Sequence, residues 1–112
     1  MSLRIGAATV ADDALVSIVR TAVAGVPGAR LDPPGRVSRV LPGRRGPVEW
    51  AVRGGTISFD VDVCAAYGRV LPTLAAGVRD AVAEHVERMT GLRVRVVDVT
   101  VTAVDRVEAG AR

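Results

Sequence analysis

The stretch VEWAVRGGTISFDVDV, residues 48–63, decides the fold. Val48, Trp50 and Val52 alternate with Glu49, Ala51 and Arg53; beyond Gly54-Gly55, Ile57, Phe59, Val61 and Val63 alternate with Ser58, Asp60 and Asp62. A period of two puts each set on its own side of a strand, and a glycine pair that tolerates positive φ joins the runs as a tight antiparallel hairpin. Each strand then has an apolar face to bury and a polar face opposite it.

On both sides of the hairpin the period changes. Upstream, Leu15, Ile18, Val19, Ala22, Val23 and Val26 recur at three- and four-residue spacing, which predicts a helix over 12–25 with Asp12 or Asp13 as N-cap and a stop at Gly25. Downstream, Pro72 suits a first helical position, Ala75, Val78, Val82, Val86 and Met89 form a stripe widened by Leu74 and Ala81, and Thr90-Gly91 ends the helix. Residues 93–104 read as a valine-rich strand in which the adjacent Val96-Val97 predicts a bulge. Residues 3–10 read as a short edge strand, 29–47 as a basic connecting loop with a short ordered window around Val37–Leu41, and 105–112 as a frayed tail. The order β-α-β-β-α-β predicts one α+β domain over 1–104, a two-layer sandwich with two helices packed on one face of a four-stranded sheet.

Composition agrees with one core. The chain has 112 residues, 49% of them hydrophobic and 24% charged, which excludes a disordered chain and a fibrous repeat. Its three aromatics, Trp50, Phe59 and Tyr67, are too few for a platform that stacks the bases of single-stranded nucleic acid. Every one of the 15 basic residues is Arg, and Lys, Asn and Gln are absent, so the net charge of +3 reads first as coding bias. The charge is uneven: Arg30, Arg36, Arg39, Arg44, Arg45 and Arg53 against Asp32 and Glu49 give residues 30–53 a balance of +4. A single cysteine excludes an internal disulfide and any multi-cysteine metal site, and favours a reducing cytoplasm. No apolar run reaches the length of a membrane span.

Few residues carry chemistry. Cys64 and His85 are each the only residue of their kind, but alternation puts Cys64 on the polar side of its strand while His85 flanks the second helix, so a nucleophile–base pair within hydrogen-bond reach is not expected. Asp60 and Asp62 share a sheet face that Asp98 can join; a solvated polar face is the plainer reading than a cation site or an acid–base pair. Gly43-Arg44-Arg45-Gly46 matches the glycine loop of KH-type RNA-binding domains nominally, yet Pro47 leads into a strand where that motif leads into a helix. Arg36, Arg39, Arg44 and Arg45 are therefore read as a candidate anion- or partner-binding loop, with a solvated loop as the plainer alternative. No catalytic residue, cofactor or metal site is expected.

Tyr67-Gly68, Leu71-Pro72, Val78, Val82, Glu87, Met89-Thr90-Gly91-Leu92, Val94 and Val97-Asp98-Val99 with Val101 resemble the alkaline shock protein family of bacterial envelope-stress proteins. The preceding strand pair, Val48 to Val63, and the block Gly6, Val10-Ala11-Asp12-Asp13, Leu15, Ile18 and Val26-Pro27-Gly28 are similar to that family too, whereas 29–47 has no clear counterpart. Tyr67, Gly68, Pro72, Met89, Thr90, Gly91 and Leu92 are the family-motif positions, and their types are structural: a turn glycine, a helix-opening proline, a helix-closing glycine. The resemblance implies a cytoplasmic, non-enzymatic module that self-associates and is held near the membrane by a membrane-anchored protein with a similar domain, without direct membrane insertion. The competing reading is an RNA- or anionic-surface-binding domain using the arginine loop, although nucleic acid is the less expected partner.

Overall fold

The computed structural model describes residues 2–6, 8–32 and 46–106. Its elements run β1 (Ser2–Ile5), β2 (Ala8–Ala11), α1 (Asp12–Ala24), β3 (Ala29–Leu31), β4 (Val48–Arg53), β5 (Thr56–Ala66), α2 (Leu71–Thr90) and β6 (Arg93–Asp105). The expected α+β architecture is present, with a four-stranded sheet and two helices.

β5 is the central strand. β6 runs parallel to it along one edge, from Thr56 opposite Arg93 to Ala66 opposite Asp105. The other edge is shared by two antiparallel strands: β4 pairs with Thr56–Val61 and β3 pairs with Val63–Ala65. Asp62 lies between them, where the Asp32 N–H donates to its carbonyl at 2.9 Å while its own N–H donates to the Pro47 carbonyl at 2.8 Å. In an unbroken antiparallel ladder a single residue would make both bonds. β3 and β4 are thus two halves of one edge, which Asp32 and Pro47 share opposite Asp62.

Alternation along β5 builds the core. Ile57, Phe59, Val61, Val63 and Ala65 face the helices and are buried with Leu15, Val19, Ala22 and Val23 of α1 and Leu74, Val78, Val82 and Val86 of α2. α2 also lies close to the turn after α1, where a Cβ on Gly77 would be 3.3 Å from Val26 Cγ1. Met89, counted in the apolar stripe from sequence, is instead 66% exposed, because the buried stripe runs Leu74, Val78, Val82, Val86 and Thr90 and leaves Met89 beside it.

Local chemistry explains most boundaries. Gly54 and Gly55 have φ of +57° and +82°, the two positive values a two-residue hairpin turn requires. Gly55→Val is therefore expected to lower stability by about 1–2 kcal/mol, read as a fall in the urea midpoint with an unchanged slope. Pro72 lies in the first turn of α2, and Gly91 closes the helix in left-handed geometry, φ +76°, with its N–H bonded to the Glu87 carbonyl at 2.9 Å. α1 departs from expectation: its N-cap position is Ala11, without a side-chain cap, and Asp12 and Asp13 occupy the first turn, where carboxylates favour the positive end of the helix dipole.

Two further differences concern the strands. Residues 3–10 do not add an edge strand to the main sheet; β1 and β2 pair with each other as a separate hairpin, with Leu3 reaching the core. The fourth strand of the main sheet is β3, inside the segment read as a connecting loop. The bulge in β6 falls at Arg95, one residue before the predicted pair, and a second falls at Thr102. The window Val37–Leu41 and residues 107–112 lie outside the described residues; Asp105, assigned to the tail from sequence, ends β6.

Candidate interaction surfaces

The face of the sheet opposite the helices carries the polar residues of the alternating strands. Glu49, Asp60 and Asp98 occupy one rung across β4, β5 and β6, so the three carboxylates anticipated on this face, Asp60, Asp62 and Asp98, are joined by a fourth from β4. Among the described residues no three His, Cys, Asp or Glu side chains converge as a metal ion needs.

One rung further, toward the break between β3 and β4, the face turns inward. Asp32 is 1% exposed and Asp62 and Cys64 are equally buried. The Cys64 thiol donates to Asp32 Oδ1 at 3.1 Å, and the Thr102 hydroxyl donates to the same oxygen at 2.8 Å, with the Val63 carbonyl at 3.2 Å as a second acceptor. Thr102 reaches both because it is the extra residue of the β6 bulge. Arg30 and Asp105 close this end with an ion pair. Sequence reasoning missed this cluster, since nothing in a Pro-, Gly- and Arg-rich stretch marks Asp32 as a carboxylate drawn inside.

Cys64 is held in its neutral form. Burial raises its pKa above 9.0, and the hydrogen bond to Asp32 and that carboxylate's charge raise it further, against smaller opposing effects from Thr102 and Arg30. His85 is on α2, across the sheet from Cys64, with Nδ1 2.8 Å from the Ala81 carbonyl. A protonated, enclosed thiol and an imidazole occupied on its own helix do not form a nucleophile–base pair.

The raised pKa fixes a sign. The thiol is protonated in both states well below pH 9, and above it the unfolded chain loses its proton first, so stability falls as pH rises through the alkaline range. We expect the urea midpoint to decline above about pH 9 in the native protein and less steeply in Cys64→Ala. Thiol alkylation near neutral pH is expected to label Cys64 only in unfolded protein.

The motif positions are spread over two turns. At the β5–α2 turn, Gly68 has φ +98°, and the Tyr67 N–H bonds to the Asp105 carbonyl at 2.8 Å while its ring, 67% exposed, stacks under Arg106 at 5.0 Å. At the α2–β6 turn, the Thr90 hydroxyl donates to the Val86 carbonyl at 2.7 Å and accepts the Leu92 N–H at 3.1 Å. Glu87 Oε2 accepts the Val94 N–H at 2.9 Å, tying the first turn of β6 back to the helix. The exposed large apolar side chains are Tyr67 and Val70 at one turn, Met89 at the other, Val96 and Val104 on β6, and Val52 on β4. Tyr67 is the one exposed aromatic among the described residues, Phe59 being in the core and Trp50 half-buried opposite it. Arg36, Arg39, Arg44 and Arg45 lie outside the described residues.

The fold defines the chain as a small α+β domain with two helices on a four-stranded sheet. Solved structures of the MamM CTD share the fold. A nickel form of a substituted MamM CTD is 15% identical, with a TM-score of 0.50, over 83% of this chain and 99% of that one. A triply substituted MamM CTD is 17% identical, also at 0.50, over 83% and 95%. No curated protein matches the chain. The chain belongs to the alkaline shock protein 23 family, whose profile it matches over residues 2–106 and whose function is cell envelope-related. No described helix is long and apolar enough to cross a membrane.

Proposed function

We propose that this protein is a non-enzymatic interaction module of the bacterial envelope stress response, associating with copies of itself and held on the cytoplasmic side of the membrane by an anchored partner with a similar domain. Family membership across residues 2–106 carries the reading. The deployment of the motif residues supports it: Gly68, Thr90 and Gly91 shape turns, and the chemistry-bearing Cys64 is enclosed. α2 gives no lipid-binding face, since Arg79 and Arg88 share it with Asp80, Glu84 and Glu87, and Arg88 is paired with Glu84 at 2.7 Å.

Fluorescence imaging and fractionation test the tether. A peripheral pool is expected, becoming diffuse when the anchored partner is deleted, and the purified protein is expected to leave protein-free vesicles of native lipid composition unbound at physiological salt. Binding to such vesicles, lost when Arg39, Arg44 and Arg45 are replaced by Ser, would replace the partner with direct contact between the arginine loop and anionic lipid.

A further inference from the structure

We infer that β6 is the self-association surface, pairing antiparallel with β6 of a second copy about a two-fold axis through Val99. This rests on the proposed self-association and assigns it a place. β6 is thirteen residues long, with β5 along one edge and no described strand along the other. It has no proline, and its charged residues, Arg93, Arg95, Asp98 and Asp105, leave the segment from Val99 to Val104 uncharged.

The open edge presents a defined set of backbone groups. The Val94 N–H points away from β5, to Glu87, whereas the Asp105 carbonyl points toward the chain that continues β5, where it accepts the Tyr67 N–H. Backbone groups alternate between the two edges of a strand, and each bulge adds one residue on the β5 side. The N–H and C=O groups of Val97, Val99 and Val101 therefore face outward. The bulges at Arg95 and Thr102 flank this regular segment, one on each side of Val99.

The side chains are self-complementary about the same point. With Val99 opposite its own copy, Val97 faces Val101 on the helix side of the sheet, and Asp98 faces Thr100 on the other side. Farther out, the exposed Val96 meets Thr102, the exposed Val104 meets Val94, and at each end Arg93 meets Asp105. A shift of one residue in this register would set Asp98 against Val101 and Arg93 against Arg106, mixing the two faces and opposing like charges. A closed two-fold pair is the occupant this pattern fits, because both copies cover the same strand at once.

Sedimentation velocity on the full chain at several concentrations tests the assignment, with amide exchange as the local readout. Native protein is expected to form a two-copy species as concentration rises, with slower exchange at Val97, Val99 and Val101. Arg93→Glu and Asp105→Arg each create two like-charge contacts per pair and are expected to weaken it by roughly 3–10-fold; Asp105→Arg also removes the Arg30 ion pair within each copy, so its urea midpoint is measured alongside to separate loss of folding from loss of pairing. A one-to-one mixture of these variants is expected to recover the pairing, since both ends then again join opposite charges. Val99→Pro is expected to stay folded and single. Association unchanged by Val99→Pro, or single-variant defects that mixing does not repair, would overturn β6 as the surface while leaving self-association in place. A chain that stays single at every concentration would overturn both, whatever imaging shows of the tether. Should Val99→Pro fail to fold, the charge-swapped mixture decides alone.

Discussion

Phe59→Ala is expected to destabilise the domain by about 3–5 kcal/mol, enough to leave much of the chain unfolded at physiological temperature. Phe59 is 2% exposed on the central strand, Trp50 of β4 and Val97 of β6 are its register partners, and both helices cover it. The fully buried side chains around it are Val, Leu, Ile and Ala, and the one aromatic neighbour, the half-buried Trp50, is held opposite it in the β4 ladder, so little can move into the space. The cavity therefore stays open, and its cost adds to the lost transfer energy. Urea denaturation followed by circular dichroism measures the change; a midpoint within error of the native protein would contradict this account of the core.

Proline substitution along one rung should separate the strands by their neighbours. Val61 of β5 lies in register between Val48 of β4 and Val99 of β6. β5 is bonded on both edges, so Val61→Pro removes a ladder hydrogen bond and forces a ring into an occupied space, at an expected cost of several kcal/mol, ~3 or more. No folded protein is expected from Val61→Pro, and a native-like circular dichroism spectrum would contradict the central placement of β5. At Val99 the same change meets an outward N–H and is expected to be tolerated.

How far the sequence could be read depended on how many residues shared one signal. The hairpin at 48–63 and both helices were legible because six or more positions repeated a period, and the Gly54-Gly55, Pro72 and Gly91 boundaries were legible because each requires a particular backbone geometry. β3 was not legible: Ala29-Arg30-Leu31 is too short to show alternation and lies between Pro27-Gly28 and Pro33-Pro34. The β1–β2 hairpin was hidden because four-residue strands about Gly6 look like one weakly apolar run. Among chemical groups, the separation of Cys64 and His85 followed from alternation alone. The enclosure of Cys64 with Asp32 and Thr102 did not, because it depends on a strand break and a bulge that bring together residues 32, 64 and 102.

The divided edge strand makes the domain a natural host for foreign sequence. Asp32 and Pro47 share the hydrogen-bonding position opposite Asp62, so the sheet registers only that the two ends return to one place and is indifferent to what separates them. Lengthening such an excursion costs little, since closure entropy grows only with the logarithm of its length, roughly 0.6 kcal/mol per doubling. A reporter or epitope spliced between Asp32 and Pro47 should therefore leave the scaffold intact.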